Sequence, residues 1–179
     1  MLKFSKLKPE DLELVMHWRV QADVTRYMNN DIEFNMANQI QWFEKISLDR
    51  GSKYWLISID ERPIGVINLV GIDSTHKRCS IGYYIGEINN RAMGFMIPPY
   101  LYNFVFNVMN FHKIYGEVLH GNDNLLKMHK IHGWREVGTY QDHVFKYGSY
   151  HNVTAVELLA ADWHTLKPKF GKFIADFEL

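Results

Sequence analysis

The chain has 179 residues, 47% hydrophobic and 22% charged, with 20 basic residues balancing 20 acidic ones. That length and apolar content suit one ordinary domain over residues 1–179 with a real core, and the zero formal charge lacks the basic excess typical of nucleic-acid binders. The sole cysteine, Cys79, excludes an internal disulfide framework and is simplest in a reducing cytoplasm; the N-terminus lacks a signal-peptide apolar region, and no apolar run reaches membrane-spanning length.

In chain order, "KFSKLKP" predicts a short first strand. "PEDLELVMHWRVQA" predicts a helix, with Pro9, Glu10 and Asp11 at its start and Leu12, Val15, Met16 and Arg19 at helical spacing. "DVTRYM" predicts a second short turn or helix. "NMANQIQWFEKISLDR" predicts a longer one, with Ile40, Phe43 and Ile46 as its apolar face and Gly51 as its stop. "KYWLISID" and "RPIGVINLVGID", parted by the turn signal "DERP", read as a hairpin, and "RCSIGYYIGEI" as the next strand. "NNRAMGFMIPPYLYNFVF" follows, with a helix beginning near Gly94 and running to about Asn110. "KIYGEVLHG" is a further strand, and "NDNLLKMHKIHGW" a compact helix with Asn122 as N-cap and Gly133 as C-cap. "REVGTYQDHVFKYGSYHNVTAVELLAADW" predicts two final strands around "KYGSYHN". The pattern is a mixed α/β domain, a sheet flanked by helices.

Two strand-to-helix steps carry the chemical signal. In the first, Arg91-Ala92-Met93-Gly94-Phe95-Met96 lies where backbone N–H groups and a helix start can hold a phosphate. It is neither a P-loop nor a dinucleotide fingerprint; alone, a single Gly before a helix is more often an ordinary turn. The second step is "NDNLLKMHKIHGW". Together they resemble the two signature motifs of the GNAT superfamily of N-acetyltransferases. Arg91 and Gly94 match the family's Arg/Gln-x-x-Gly-x-Gly/Ala loop, with Met96 at its small last position. Asn122, Gly133 and Trp134 match Asn-x-x-Ala-x-x-x-Tyr-x-x-x-Gly-Phe, with Leu125 in place of Ala and His129 in place of Tyr.

The resemblance implies a mostly antiparallel central sheet, acetyl-coenzyme A as cosubstrate, no metal, and direct attack of an amine on the thioester. It assigns the cofactor loop to Arg91, Ala92, Met93, Gly94, Phe95 and Met96, with Asn122, Asn124 and Leu125 beside it. It assigns oxyanion stabilisation to backbone N–H groups at Tyr84, Ile85 and Gly86. Within the superfamily, "MHWRVQADVTRYM", "QWFEKI", "PIGVINLVGID" and "GSYHNVTAVELLAADW" look like the ribosomal-protein and amino-sugar branch. They are most similar to the UDP-4-amino-sugar acetyltransferases of pseudaminic acid synthesis.

The reaction requires loss of a proton from an amine, whose pKa is ~10.4 if it is lysine-like, and departure of a thiol that resembles cysteine, at ~8.5. His129 sits where the family's acid sits, and an unperturbed imidazole is roughly a quarter protonated at pH 7; the competing reading is a helix histidine that only contacts coenzyme A or solvent. His132 and His120 are spare candidates. Glu117 is a candidate base, or an exposed strand residue in a salt bridge, and Glu87 is its rival. For the acceptor, Arg19 suits a pyrophosphate or carboxylate, or else a surface salt bridge; Asn68 suits a sugar hydroxyl or a backbone partner; Tyr83 suits the site wall or plain sheet packing. Met28 and Gln39 follow from similar position alone. A small-molecule amine, with a nucleotide-linked amino sugar foremost, is the expected partner, with a homodimer left open. A protein N-terminus, a polyamine, or a coenzyme A-binding sensor without turnover are the alternatives.

Overall fold

The computed structural model describes residues 1–178. One seven-stranded sheet runs in the order β1-β2-β3-β4-β5-β7-β6. Its strands are β1 (Leu2–Lys6), β2 (Lys53–Ile59), β3 (Arg62–Asp73), β4 (Arg78–Ile85), β5 (Lys113–Leu119), β6 (Arg135–Lys146) and β7 (Ser149–Leu159). All neighbours pair antiparallel except β4 and β5, the mostly antiparallel sheet that the sequence implied.

The β2–β3 turn is Asp60-Glu61 and the β6–β7 turn Tyr147-Gly148, all four at positive φ (49°, 62°, 52° and 78°). Two-residue turns of this kind match the twist of the strands they join. The last strand ends at Leu159, short of the expected Trp163, because α6 (Ala160–Thr165) begins there.

One face of the sheet carries α4 (Pro98–Asn103), continued as a π-turn over Phe104–Val108, together with α5 (Asp123–Ile131), α6 and α7 (Lys167–Phe170). Leu101, Tyr102 and Val105 are wholly buried there. Buried Asn103 donates to the carbonyls of Phe170 (3.0 Å) and Phe173 (2.8 Å) and accepts from the Trp163 indole (2.9 Å). That satisfied amide holds the C-terminal segment on the core. Phe177 then stacks on Phe4, ring centroids 4.3 Å apart, and bridges β1.

The other face carries α1 (Leu12–Arg19), α2 (Ala22–Thr25) and α3 (Met36–Leu48). α1 buries Leu12, Val15 and Met16 as the spacing predicted, but its fourth buried residue is Trp18 rather than Arg19, which is half-buried; Pro9–Asp11 is wound as a 3₁₀ turn before it. In α3 the expected face is rotated: Ile40 is exposed, while Gln39 is buried and Trp42, Phe43 and Ile46 pack inward. The reason is what α3 covers. Part of its inner side borders a cleft rather than apolar core, and an amide is tolerated there.

Candidate active site

β4 and β5 are paired only from Arg78–Ser80 to Lys113–Tyr115. Beyond Ser80 the two strands part. The Gly86 N–H bonds to Ile64 O at 2.8 Å, so by strand alternation Gly82 and Tyr84 also turn their backbone groups toward β3. Ile81, Tyr83 and Ile85 turn theirs into the gap. The expected oxyanion donors therefore reduce to one: Ile85 faces the opening, while Tyr84 and Gly86 are spent on the sheet. A cleft of about 1180 Å³ passes through this gap and joins the two faces.

Tyr83 and Tyr84 lie on opposite faces. The Tyr83 hydroxyl donates to Met128 Sδ (3.4 Å) on α5, and Tyr84 packs with Trp42 and Tyr54 below α1 and α3. Tyr84 thus borders the α1/α3 half of the cleft and Tyr83 the α4/α5 half. Burial raises both phenols well above the ordinary tyrosine value, so both stay neutral.

On the α4/α5 side, Ile88–Phe95 winds as 3₁₀ turns and α4 begins only at Pro98. A helix starting near Gly94 would need N–H donors from Pro98 and Pro99 to the carbonyls four residues earlier, and proline has none. Both prolines instead fill the first turn of α4, where a missing N–H costs least. Arg91, Ala92, Gly94 and Phe95 border the cleft. Gly86, Met93 and Met96 do not: a Cβ at Gly86 would lie 2.1 Å from the Trp18 ring, Met93 packs on the core, and Met96 is partly exposed. A Cβ at Gly94 would make only ordinary contacts, 3.9 Å to Tyr83 and 4.0 Å to Ile85. Glycine there is a matter of the cleft's room, not of backbone strain.

Arg91 is tied across the cleft, its Nη1 to Asp23 Oδ2 (2.5 Å) and its Nη2 to Gln21 Oε1 (3.3 Å). Asn122 stands at the start of α5 but its side chain makes no capping hydrogen bond, and it borders the cleft with Asn124 and Leu125.

His129 is buried on α5 with its ring 4.4 Å from Trp134. Desolvation, then the neighbouring His132, pushes its pKa down to about 4. The imidazole is therefore neutral at pH 7, not a quarter protonated as an exposed one would be. Its Nδ1 has no protein partner. His132 is fully buried in an aromatic cage and is likewise pushed to about 4, by desolvation first and then by Lys169.

Glu117 projects from β5 into the cleft, exposed, on the same face as Tyr84. Its rival Glu87 is occupied, accepting the Trp18 indole N–H at 2.9 Å. Arg19 is also occupied: it donates to Thr25 Oγ1 (3.0 Å) and to both oxygens of Asn30 (3.0 and 2.9 Å). Desolvation leads in lowering its pKa. Met28, Gln39 and Asn68 border the same half, with the Asn68 amide over Gly82, where a Cβ would meet its Oδ1 at 2.5 Å. Trp42, Tyr54 and Glu33 also border it and were not anticipated; the amide-rich run "MNNDIEFNMANQ" is the signal that marks this wall.

A sheet split beside a 3₁₀ loop, with a long two-sided cleft through the split, is the framework of an acyl-transferring enzyme that brings a coenzyme thioester to an amine. The chain belongs to the GNAT acetyltransferases: the family model described as Acetyltransferase (GNAT) domain matches residues 2–135. The chain is similar to acetyltransferase PseH of Campylobacter jejuni strain 81-176, 27% identical over 127 residues, or 71% of this chain and 78% of that one. It is also similar to spermidine N(1)-acetyltransferase of Escherichia coli K12, 22% identical over 152 residues, or 84% and 82% of the two chains. Among solved structures, spermidine N-acetyltransferase from Vibrio cholerae in complex with CoA and spermine superposes with a TM-score of 0.84. That match is 17% identical and covers 91% of this chain and 98% of that one. The protein is an acetyl-coenzyme A-dependent N-acetyltransferase.

Proposed function

We propose that the acceptor is the 4-amine of a UDP-linked amino-dideoxy sugar. The observation that carries this reading is the chemistry of the acceptor half. Aromatic rings (Tyr27, Trp42, Tyr54) and amides (Asn38, Gln39, Asn68) make up much of its wall. Asp23, the carboxylate at its edge, is neutralised by Arg91, and Asp31, behind the wall, by Lys146. Rings and amides suit a base, a ribose and a sugar; a polycation is better held by unpaired carboxylates. The similarity to PseH supports the same reading. The similarity to spermidine acetyltransferases, with Glu33 and Glu117 also in the cleft, supports polyamines as the second reading.

When bound, acetyl-coenzyme A supplies an acetyl thioester open to attack by a neutral amine. Arg91, Ala92, Gly94 and Phe95 border the half that would take the coenzyme, with Asn122 and Asn124 across from them. The Ile85 N–H, turned into the gap, is placed to hold negative charge on a carbonyl oxygen. Glu117, on the acceptor face, takes the amine's proton directly or through water; for a lysine-like amine, with a pKa of ~10.4, only about one molecule in 10³ is neutral at pH 7, and a sugar amine, flanked by electron-withdrawing oxygens, gives up its proton more readily. His129, on the opposite face, begins neutral and donates an N–H hydrogen bond to the departing sulfur. Negative charge beside it raises its pKa again, which favours proton sharing at that moment rather than before.

The test is thiol release from acetyl-coenzyme A with a UDP-4-amino sugar, spermidine and an N-terminal peptide side by side. The amino sugar is expected to give the highest kcat/KM, and His129→Phe to lower kcat by ~10²-fold with little change in KM for acetyl-coenzyme A. Turnover of spermidine or the peptide with an inert amino sugar would defeat the reading.

A further inference from the structure

The segment between α2 and α3 has no regular secondary structure from Arg26 to Asn35, yet it forms much of the acceptor wall through Tyr27, Met28, Asn29, Asn30, Ile32 and Glu33. Something outside the segment must hold it. The holding group comes from the far end of the chain. Lys146 closes β6, its side chain is only 3% exposed, and its ammonium does not border the cleft. Lys146 Nζ donates to Thr25 O (2.7 Å) and Met28 O (2.7 Å), lies 3.4 Å from Arg26 O, and sits 3.0 Å from Asp31 Oδ1.

A buried ammonium is tolerated only when its donors are matched, and here every acceptor belongs to this one segment. The carbonyls it meets lie at the last residue of α2 and just beyond it, where a helix leaves acceptors without intrahelical partners; Thr25 O also accepts from the Met28 N–H (2.9 Å). A second layer closes the knot: Thr25 Oγ1 donates to Asp31 Oδ1 (2.9 Å), and Arg19 from α1 grips Thr25 and Asn30. The Lys146 hydrogen bond leads in holding the Asp31 carboxyl below the usual carboxylate range.

We infer that Lys146 is a positioning residue for acceptor specificity: it fixes the Thr25–Asp31 segment and so shapes the acceptor wall without touching substrate. This rests on reading that half of the cleft as the acceptor site. It assigns part of the β6–β7 hairpin, remote in sequence from both signature motifs, to selection of the amine. Arginine is an imperfect substitute, because a planar fork cannot reproduce a point charge with three splayed donors.

The test pairs steady-state kinetics with amide hydrogen exchange in Lys146→Met, Lys146→Arg and the milder, exposed Asp31→Asn. Lys146→Met is expected to raise KM for the reactive amine by about tenfold or more, leave KM for acetyl-coenzyme A within about twofold, and speed exchange over residues 26–33. Lys146→Arg should recover part of that loss, and Asp31→Asn should move the same parameters the same way by a few fold. Equal rises in both KM values, an unchanged amine KM in Asp31→Asn, or unchanged exchange over 26–33 in Lys146→Met would each overturn the inference. If Lys146→Met does not fold, the Arg and Asp31 variants decide it by the same split. If spermidine or a peptide is the reactive amine, the nucleotide-sugar reading fails while the KM split, measured with that amine, still decides the role of Lys146. Exchange is read without any acceptor.

Discussion

His129 on α5 and His132 just past its end are three residues apart and both are stripped of water, but they face different surroundings. His129 borders the cleft; His132 has both ring nitrogens unpartnered inside a cage that includes Phe95, Tyr102 and Phe170. Their consequence for stability has a definite sign. Each pKa falls from 6.5 to about 4 on folding, so between these values the unfolded chain binds more protons than the native one. The stabilisation is complete above pH 6.5 and is lost as pH falls toward 4. The paired carboxylates Asp31 and Glu157, held low chiefly by Lys146 and Lys113, add their losses at lower pH. Urea midpoints at pH 7 and pH 4.5 measure this. The wild type should fall markedly, and His132→Leu should fall less while being no weaker at pH 7, since it removes a buried polar ring without partners. An equal fall in both would show that His132 does not carry the effect.

At the scale of elements, periodicity and turn chemistry were enough to locate most strands and helices, because Pro9, Gly133 and the Asp60-Glu61 turn act locally. The misplaced boundaries have tertiary causes. The α3 face was rotated because a cleft, not core, lies beneath Gln39. The helix after β4 began late because its two prolines lack N–H groups. The last strand was overrun because Trp163 is buried by α6 packing on Asn103, a contact no local pattern contains. The motif loop itself was legible, but the division of labour between its glycines was not. Gly86→Ala forces a Cβ into buried Trp18 and should cost about 3 kcal/mol in stability. Gly94→Ala should leave the thermal midpoint near wild type but raise KM for acetyl-coenzyme A about tenfold, roughly 1.4 kcal/mol of binding. Thermal melts and saturation curves on the two variants separate these roles; equal destabilisation would refute the distinction.

Across the whole molecule, one feature organises the site: the sheet is continuous except where β4 and β5 separate past Ser80. The two signature motifs were readable because each is a short local run. The gap was not, since it arises from pairing between strands separated by the whole α4 segment. Nor was the Lys146 knot, whose partners lie about 120 residues away. In the mechanism we propose, the gap lets a group on one face, His129, and a group on the other, Glu117, act on one reaction, with Ile85 between them. That arrangement requires both substrates in the cleft together and no acetylated enzyme on the path. An initial-rate matrix varying acetyl-coenzyme A against the reactive amine tests it most directly. The arrangement predicts double-reciprocal lines that intersect; parallel lines, the signature of an acetyl-enzyme formed before the amine binds, would contradict it.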